Sequence, residues 1–257
     1  MRRRSAVTTA ALTALAATAL ACGQLPGTPG TDPTESAPPV VETSDTDEPD
    51  SLEGIFGYDD MDDYVDRVVE PIIVPWLDET WPGIPIPYVE FVAEGESGPE
   101  GCTDYDGAPA SYTSESYEYC PPDNTVYLGQ DLLWEFYKLG DAAPAMGIAH
   151  EFGHHVQEYL GVDPPYTAAE SVDYENQADC LAGAWAKWAN EQDPPILETA
   201  EQSPNGQSDL DDIEDIFPLI ASGEGDEERD HGTLSEREDA FFAGYEDGAT
   251  ACGLPRG

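Results

Sequence analysis

Residues 150–154 read His-Glu-Phe-Gly-His, a pattern whose side chains can hold a metal ion and use it. Positions four residues apart lie on one face of a helix, so the imidazoles of His150 and His154 can reach a single ion. Glu151 is rotated by about 100° from His150 and can act on a water without binding the ion itself. Such ligands suit Zn²⁺, and the pattern therefore predicts zinc-assisted hydrolysis with Glu151 as the catalytic base.

The helices around this motif must supply a third ligand, because a catalytic zinc usually has three from the protein. Apolar spacing and end signals predict a helix over 144–160, which carries the motif, and a second over 168–190. The second helix offers Glu175 as the metal ligand. Asp179, one turn later, can accept a hydrogen bond from the far nitrogen of a ligand histidine. The alternative is that Asp179 or Glu170 is the ligand.

The remaining periodicity predicts an α+β fold that is mainly helical with a small β-sheet. The first helix should cover 61–77 and be kinked or ended by Pro71 and Pro75. The other expected elements are strands over 88–92 and 125–128, helices over 132–138 and 235–247, and a weaker helix over 209–221. The stretch between the two strands indicates loop and hairpin. We therefore expect one catalytic domain over 52–257.

The N-terminus has the features of an export signal. Residues 1–22 combine three arginines with a short apolar stretch and end at Cys22. The run before Cys22 is similar to a bacterial lipobox, in which this cysteine is lipidated; an ordinary signal peptide cleaved near Ala21 is the alternative. Both predict a protein outside the cytoplasm, either lipid-anchored to the cell membrane or secreted. Residues 23–51 are rich in Pro, Thr, Ser and acidic side chains, which predicts a disordered linker.

Four cysteines remain once Cys22 is set aside, and an even number in an exported chain favours two disulfides. Four cysteines allow three pairings, of which we favour Cys102–Cys120 and Cys180–Cys252. The first pairing closes a short loop, and the second ties the C-terminal tail to the helix that carries Glu175. A cysteine zinc site is disfavoured because no C-x-x-C spacing occurs.

The charge balance excludes one class of partner. The chain has 54 acidic against 9 basic side chains and a formal net charge of −45. Nucleic-acid binding needs clustered Lys and Arg, so nucleic acid is a poor partner. We interpret the acidity as a solvated surface that keeps the protein soluble. The expected partners are a protein or peptide substrate and, through Cys22, the membrane.

Longer motifs resemble those of a known family. Residues 150–157 and 175–186, which read Glu-Asn-Gln-Ala-Asp-Cys-Leu-Ala-Gly-Ala-Trp-Ala, resemble the bacterial putative neutral zinc metallopeptidase family. Similar segments lie at 119–128 and 231–252, so the resemblance spans roughly 58–252. It implies a zincin-like metallopeptidase domain. The Glu-x-x-x-Asp element also resembles membrane gluzincins, whose Glu is the third ligand; this implies the same role for Glu175. Asn176 departs from the family's usual Leu.

The resemblance and the residue types suggest roles for three further side chains. His231 stands in a His-Gly-Thr segment similar to the family's and can donate a hydrogen bond to the oxyanion of the reaction. The alternative is a surface histidine. Arg237 can serve instead or pair with a carboxylate, and His155 points away from His154 as a structural side chain. Zincin architecture suggests that the strand at 125–128 pairs with an extended substrate.

Two functions remain as hypotheses, because a third, an extracytoplasmic solute- or Ca²⁺-binding lipoprotein, has no Asp-x-Asp-x-Asp-Gly loop to support it. The first is an exported zinc metallopeptidase, most simply an endopeptidase, that hydrolyses peptide bonds with zinc-activated water. The second is a catalytically inactive metal-binding surface lipoprotein. Degenerate relatives normally lose the glutamate of the motif, and the presence of Glu151 favours the enzyme.

Overall fold

The computed structural model describes residue 52 and residues 54–98, 112–203, 205–223 and 229–254. The predicted signal peptide (1–22), the lipidation site Cys22, the linker (23–51) and Cys102 lie outside these residues. Among the described residues no helix is both long and apolar enough to cross a membrane.

The described residues form a mainly helical α+β fold with a small mixed sheet, which confirms the predicted fold class. Helices α1 to α8 span Met61–Val68, Val74–Thr80, Gln130–Tyr137, Ala142–Leu160, Ala168–Asn190, Asp209–Glu214, Phe217–Ile220 and Leu234–Asp247. Strands β1 to β3 span Tyr88–Val92, Tyr117–Cys120 and Thr125–Gly129. Short 3₁₀ turns lie at Tyr58–Asp60, Pro121–Asp123 and Ala249–Cys252, and a π-helical turn at Val69–Ile73 joins α1 to α2.

The first helical segment shows how its prolines are accommodated. Pro71 falls inside the π-helical turn, where the backbone hydrogen bonds already depart from the α-helical pattern. Pro75 lies in the first turn of α2, where a backbone N–H needs no partner within that helix. The chain therefore stays helical through both prolines. Its apolar side chains, among them Tyr64, Val68 and Trp76, are buried in the main core.

The sheet has the strand order β1-β3-β2, with β1 parallel and β2 antiparallel to β3. One prediction about it was confirmed in part and one was wrong. Residues 117–120, expected in loop and hairpin, form the strand β2, which makes a hairpin with β3. The strand at 125–128 was expected to pair with substrate, yet it is the central strand β3, and its backbone groups on both sides already bond to β1 and β2. Among the described strands, β1 and β2 are the edges.

Helix α4 lies at the centre of the domain, in contact with α3, α5, α6 and β2. Its first four turns are buried almost completely, because Ala, Gly and other small residues let the neighbouring elements approach closely. At Gly153, for example, a Cβ would lie 3.3 Å from the backbone of Ala178 on α5. The polar side chains in these four turns are therefore buried or partly buried, and each needs a partner there.

Helices α5 and α8 pack backbone to backbone. A Cβ on Gly183 would lie 1.9 Å from the carbonyl oxygen of Phe241, and a Cβ on Gly244 would lie 1.8 Å from that of Cys180. Only glycine permits such an approach at these positions. The predicted disulfide between Cys180 and Cys252 is present and fastens the C-terminal turn to α5. Cys120 is also disulfide-bonded. Helix α5 is thus fixed against α4 on one side and α8 on the other.

Candidate metal centre

Three side chains from α4 and α5 converge at one point. The Nε2 atoms of His150 and His154 lie 3.1 Å apart. A carboxylate oxygen of Glu175 lies 3.1 Å from the Nε2 of His150, and its other oxygen lies 3.4 Å from that of His154. Tetrahedral Zn²⁺ with bonds of about 2.0–2.1 Å places its ligand atoms about 3.3 Å from each other. The spacing of the three donors therefore fits a zinc ion.

The far nitrogen of His150 is held by a buried carboxylate. Asp179 Oδ1 lies 2.8 Å from the Nδ1 of His150, and both Asp179 oxygens accept 2.8 Å hydrogen bonds from the guanidinium of Arg237. Burial raises the pKa of Asp179, but Arg237 and His150 outweigh burial and hold the pKa below its ordinary value. A carboxylate can only accept, so the Nδ1 of His150 carries the proton and its Nε2 presents a lone pair.

Gln157 determines which nitrogen of His154 carries the proton. Its amide Nε2 donates 2.8 Å and 2.9 Å hydrogen bonds to the carbonyl of Tyr174 and to Gln177 Oε1. The amide oxygen Oε1 therefore faces His154, 2.8 Å from its Nδ1. An amide oxygen only accepts, so the Nδ1 of His154 carries the proton. The Nε2 of His154 presents a lone pair at the same point as that of His150.

These bonds direct two imidazole nitrogens and a carboxylate at one point, and such a set is unfavourable unless a proton or a metal cation lies among them. The pKa shifts show the same demand for positive charge. Burial lowers the pKa of His150, but the carboxylates of Asp179 and Glu175 outweigh it and raise the pKa to about 10, so the ring holds a proton there when no cation is bound. Burial likewise raises the pKa of Glu175, yet His154 and His150 hold it well below its ordinary value. The three side chains fit a zinc ion in both geometry and donor chemistry.

Glu151 lies beside this point without joining the donor set. It is buried, and its Oε2 accepts a 2.7 Å hydrogen bond from the backbone N–H of Tyr119 on β2. That bond uses one of its two oxygens. Glu151 also lines a cavity of about 290 Å³, together with His150, so its carboxylate borders the space where a substrate can enter. This is the position that a base needs if it is to act on a water near the ion.

A family model described as "Putative neutral zinc metallopeptidase" matches residues 106–253, more than half of the chain. The matched segment contains all three donors and Glu151. The chain belongs to this family.

Two other proteins are similar to this family member over long segments. YpfJ of Escherichia coli strain K12 is 35% identical over 153 residues, which cover 52% of this chain and 51% of YpfJ. Rv2575 of Mycobacterium tuberculosis strain H37Rv is 31% identical over 212 residues, covering 72% of this chain and 64% of Rv2575. The chain thus spans between half and two thirds of these relatives, and both are named as uncharacterized proteins. No solved structure matches the chain significantly.

The two alternative ligands, Asp179 and Glu170, lie away from the point where the three donors meet. Asp179 contacts the Nδ1 of His150, on the opposite side of the ring from the donor set. Glu170 is exposed at the start of α5, where it accepts a hydrogen bond from the backbone N–H of Tyr166. His155 lies 2.7 Å from the carbonyl of Pro85 and 3.2 Å from the hydroxyl of Tyr119, and burial lowers its pKa to about 4. It is a neutral buried side chain away from the ion position.

His231 lies at the rim of the site. Its side chain is 43% exposed, and its Nε2 lies 3.6 Å from Glu175 Oε2. Its Nδ1 contacts the carboxylate of Asp230 at 2.9 Å. His231 also lines the cavity that contains Glu151. Its position is therefore compatible with the predicted hydrogen bond to a reacting carbonyl oxygen, whereas Arg237 is engaged with Asp179.

Sequence reasoning missed two contributors to the site. Gln157, which sets the tautomer of His154, lies three residues after that histidine on the same helix; this spacing is a signal that could have been used. The backbone N–H of Tyr119, which holds Glu151, had no such signal because it depends on where β2 packs against α4.

Proposed function

We propose that this protein is an exported zinc-dependent peptidase. The observation that carries the proposal is the meeting of three metal donors, each with its lone pair directed to one point, beside a buried glutamate that borders a cavity. A site used only to store a metal does not need Glu151 there. Membership of the zinc metallopeptidase family supports the same reaction class.

The residues of the site have separate parts in the proposed hydrolysis. His150, His154 and Glu175 would hold Zn²⁺, which would supply a Lewis acid that makes a water more acidic and polarises a carbonyl. Glu151 takes a proton from the attacking water as the oxygen of that water bonds to the carbonyl carbon. The C–N bond then breaks, and Glu151 delivers the proton to the amine nitrogen. His231 is placed to donate a hydrogen bond to the carbonyl oxygen as its negative charge grows.

Substrate binding is proposed to use the edge strand β2 and the adjoining cavity. The N–H of Tyr119 points away from β3 towards Glu151, so this side of β2 faces the reacting groups. An extended peptide laid along it can add a strand to the sheet. The cavity is walled by apolar side chains, including Leu132, Phe136, Ile216 and Ile220, and it reaches His150 and Glu151. We expect it to take a bulky apolar side chain next to the scissile bond.

Export and membrane anchoring also belong to the proposal. Their support is the sequence of residues 1–22 and the Cys180–Cys252 disulfide, a type of bond that persists mainly in oxidising compartments. A Cys22→Ser variant, expressed in a bacterium with the lipidation machinery, should leave the membrane fraction and appear in soluble form. Equal membrane association of both proteins would contradict the lipid anchor.

Enzymatic activity is tested by Glu151→Gln, with Glu158→Gln as the matched control. Glu158 lies on the same helix but is exposed, so both variants lose one carboxylate from α4. We expect both variants to bind one zinc per chain. Peptide hydrolysis by the first should fall by about 10²–10⁴-fold, while the control keeps wild-type activity. Zinc binding without hydrolysis of any peptide in a diverse library would instead favour the inactive metal-binding lipoprotein.

A further inference from the structure

A second group of potential ligands lies at the start of α4. Asp141 precedes that helix, and Asp209 and Asp212 lie in the first turns of α6. One carboxylate oxygen from each lies within 4.8 Å of the other two. Unlike most acidic clusters this one is largely buried: Asp209 is 3% and Asp212 is 5% exposed.

An unsatisfied buried atom indicates that something is missing from this cluster. Asp212 Oδ1 is inaccessible to solvent and has no hydrogen-bond partner. The carboxylate packs against the backbone of Gly140, where a Cβ would lie 1.8 Å from its Oδ2, so no side chain can enter from that direction. A buried acceptor without a partner costs about 1–3 kcal/mol, and more when it is charged.

The surroundings of Asp212 make its charge more unfavourable still. Burial and the neighbouring carboxylates of Asp141, Asp215 and Asp211 raise its pKa, and the backbone N–H of Ala142 acts in the other direction but is outweighed. Buried carboxylates of like charge are stable together only when they share a proton or bind a cation.

We propose that Asp141, Asp209 and Asp212 bind a Ca²⁺ ion. All three offer hard oxygen ligands, and the group contains no His or Cys that would favour a transition metal. Ca²⁺ accepts an irregular arrangement of oxygens at about 2.3–2.6 Å, as three carboxylates from two separate segments supply, whereas Mg²⁺ requires a near-ideal octahedron at about 2.0–2.1 Å and usually keeps several waters. Water and backbone carbonyls complete the six to eight oxygens that Ca²⁺ takes.

A cation here links two parts of the fold that act on the proposed active site. Asp141 leads into α4, which carries His150, and α6 leads into the segment that contains Ile216 and Ile220 of the cavity wall. The inference does not depend on the peptidase proposal, because it concerns stability and can be measured without substrate.

The test is calcium binding by the purified zinc-loaded protein, with Asp212→Asn and, as control, Glu214→Gln. Glu214 is an exposed acid on the same helix, so the control loses the same charge without touching the cluster. Calorimetry with CaCl₂ should show one site in the wild type and in Glu214→Gln, and none in Asp212→Asn. At a free Ca²⁺ concentration a hundred times the Kd, the first two proteins should gain about 5–10 °C in Tm.

Other outcomes would overturn the proposal. If Ca²⁺ raises the Tm of all three proteins equally, it acts by general charge screening. If Ca²⁺ has no effect and Asp212→Asn alone is more stable at neutral pH, the carboxyls share a proton instead. Should Asp212→Asn fail to fold, Asp141→Asn takes its place with the same expectations. If MgCl₂ binds as tightly as CaCl₂, the assignment of calcium is wrong.

Discussion

Replacing Asp179 with asparagine tests a side chain that orients a metal ligand, while the three ligands themselves stay unchanged. The carboxylate accepts from the Nδ1 of His150 and twice from Arg237. An asparagine keeps one acceptor and puts an NH₂ group in place of the other. If the NH₂ group faces His150, the Nδ1 of the imidazole must accept a hydrogen bond from it. The imidazole proton then moves to Nε2, the nitrogen that should bind zinc. If the NH₂ group faces Arg237, two donors meet in a buried position.

The structure sets the size of both effects. Loss of a hydrogen-bonded partner behind a ligand histidine typically weakens metal binding by about 10–100-fold, which we expect for Asp179→Asn. Arg237 is 2% exposed, and its guanidinium loses the counter-charge of Asp179. Removing one partner of a buried ion pair typically costs about 3–5 kcal/mol, so the metal-free variant should be less stable by that amount.

The assay is zinc competition against a chelating dye at neutral pH, followed by urea unfolding in the presence of chelator. Asp173→Asn is the matched control, because Asp173 is an exposed residue of α5 and its replacement removes the same charge. We expect the control to bind zinc like the wild type. Zinc binding by Asp179→Asn within threefold of the wild type, or an equal loss of affinity in the control, would show that Asp179 does not set the tautomer of His150.

Further perturbations test the cavity, the helix packing and the metal. Ile220→Trp fills the cavity and should shift peptide cleavage from bulky to small apolar residues at one substrate position. Leu219→Trp is the control, because Leu219 is 60% exposed, and it should leave the preference unchanged. Gly244→Ala places a Cβ 1.8 Å from a backbone oxygen and should lower the free energy of unfolding by about 1–3 kcal/mol, whereas Gly223→Ala, with open space around it, should not. Removal of zinc with a chelator should lower the Tm, and added zinc should restore it, since the ion binds only the folded site.

The sequence predicted what depends on local spacing. The helices predicted over 144–160 and 168–190 carry strong periodicity and end signals, and their predicted ends agree with those of α4 and α5 to within two residues. The i, i+4 histidines and the Glu175–Asp179 pair follow from helical geometry, so their shared face was predictable once the helices were known. The Cys180–Cys252 pairing was one of three possibilities and came from the expected position of α5.

Features that depend on packing between distant segments were not predictable in this way. The sequence 117–120 alternates too briefly to indicate a strand, and only its pairing with β3 makes it one. For the same reason the sequence could not show that 125–128, the strand expected to pair with substrate, lies between two other strands. The cluster of Asp141, Asp209 and Asp212 joins residues about 70 positions apart, which no local pattern can bring together.

Arg237 makes a third contact that connects two properties usually treated as separate. Besides its bonds to Asp179, its Nη1 donates a 2.8 Å hydrogen bond to the carbonyl oxygen of Ile220, in the wall of the cavity. One guanidinium therefore contacts both the carboxylate behind His150 and the wall of the cavity that is proposed to take a substrate side chain. Because the bond to Ile220 is to the backbone, we expect substitutions at residues 216–220 to disturb metal retention only where they move the backbone of Ile220, and libraries at these positions have to be screened for both selectivity and metal retention.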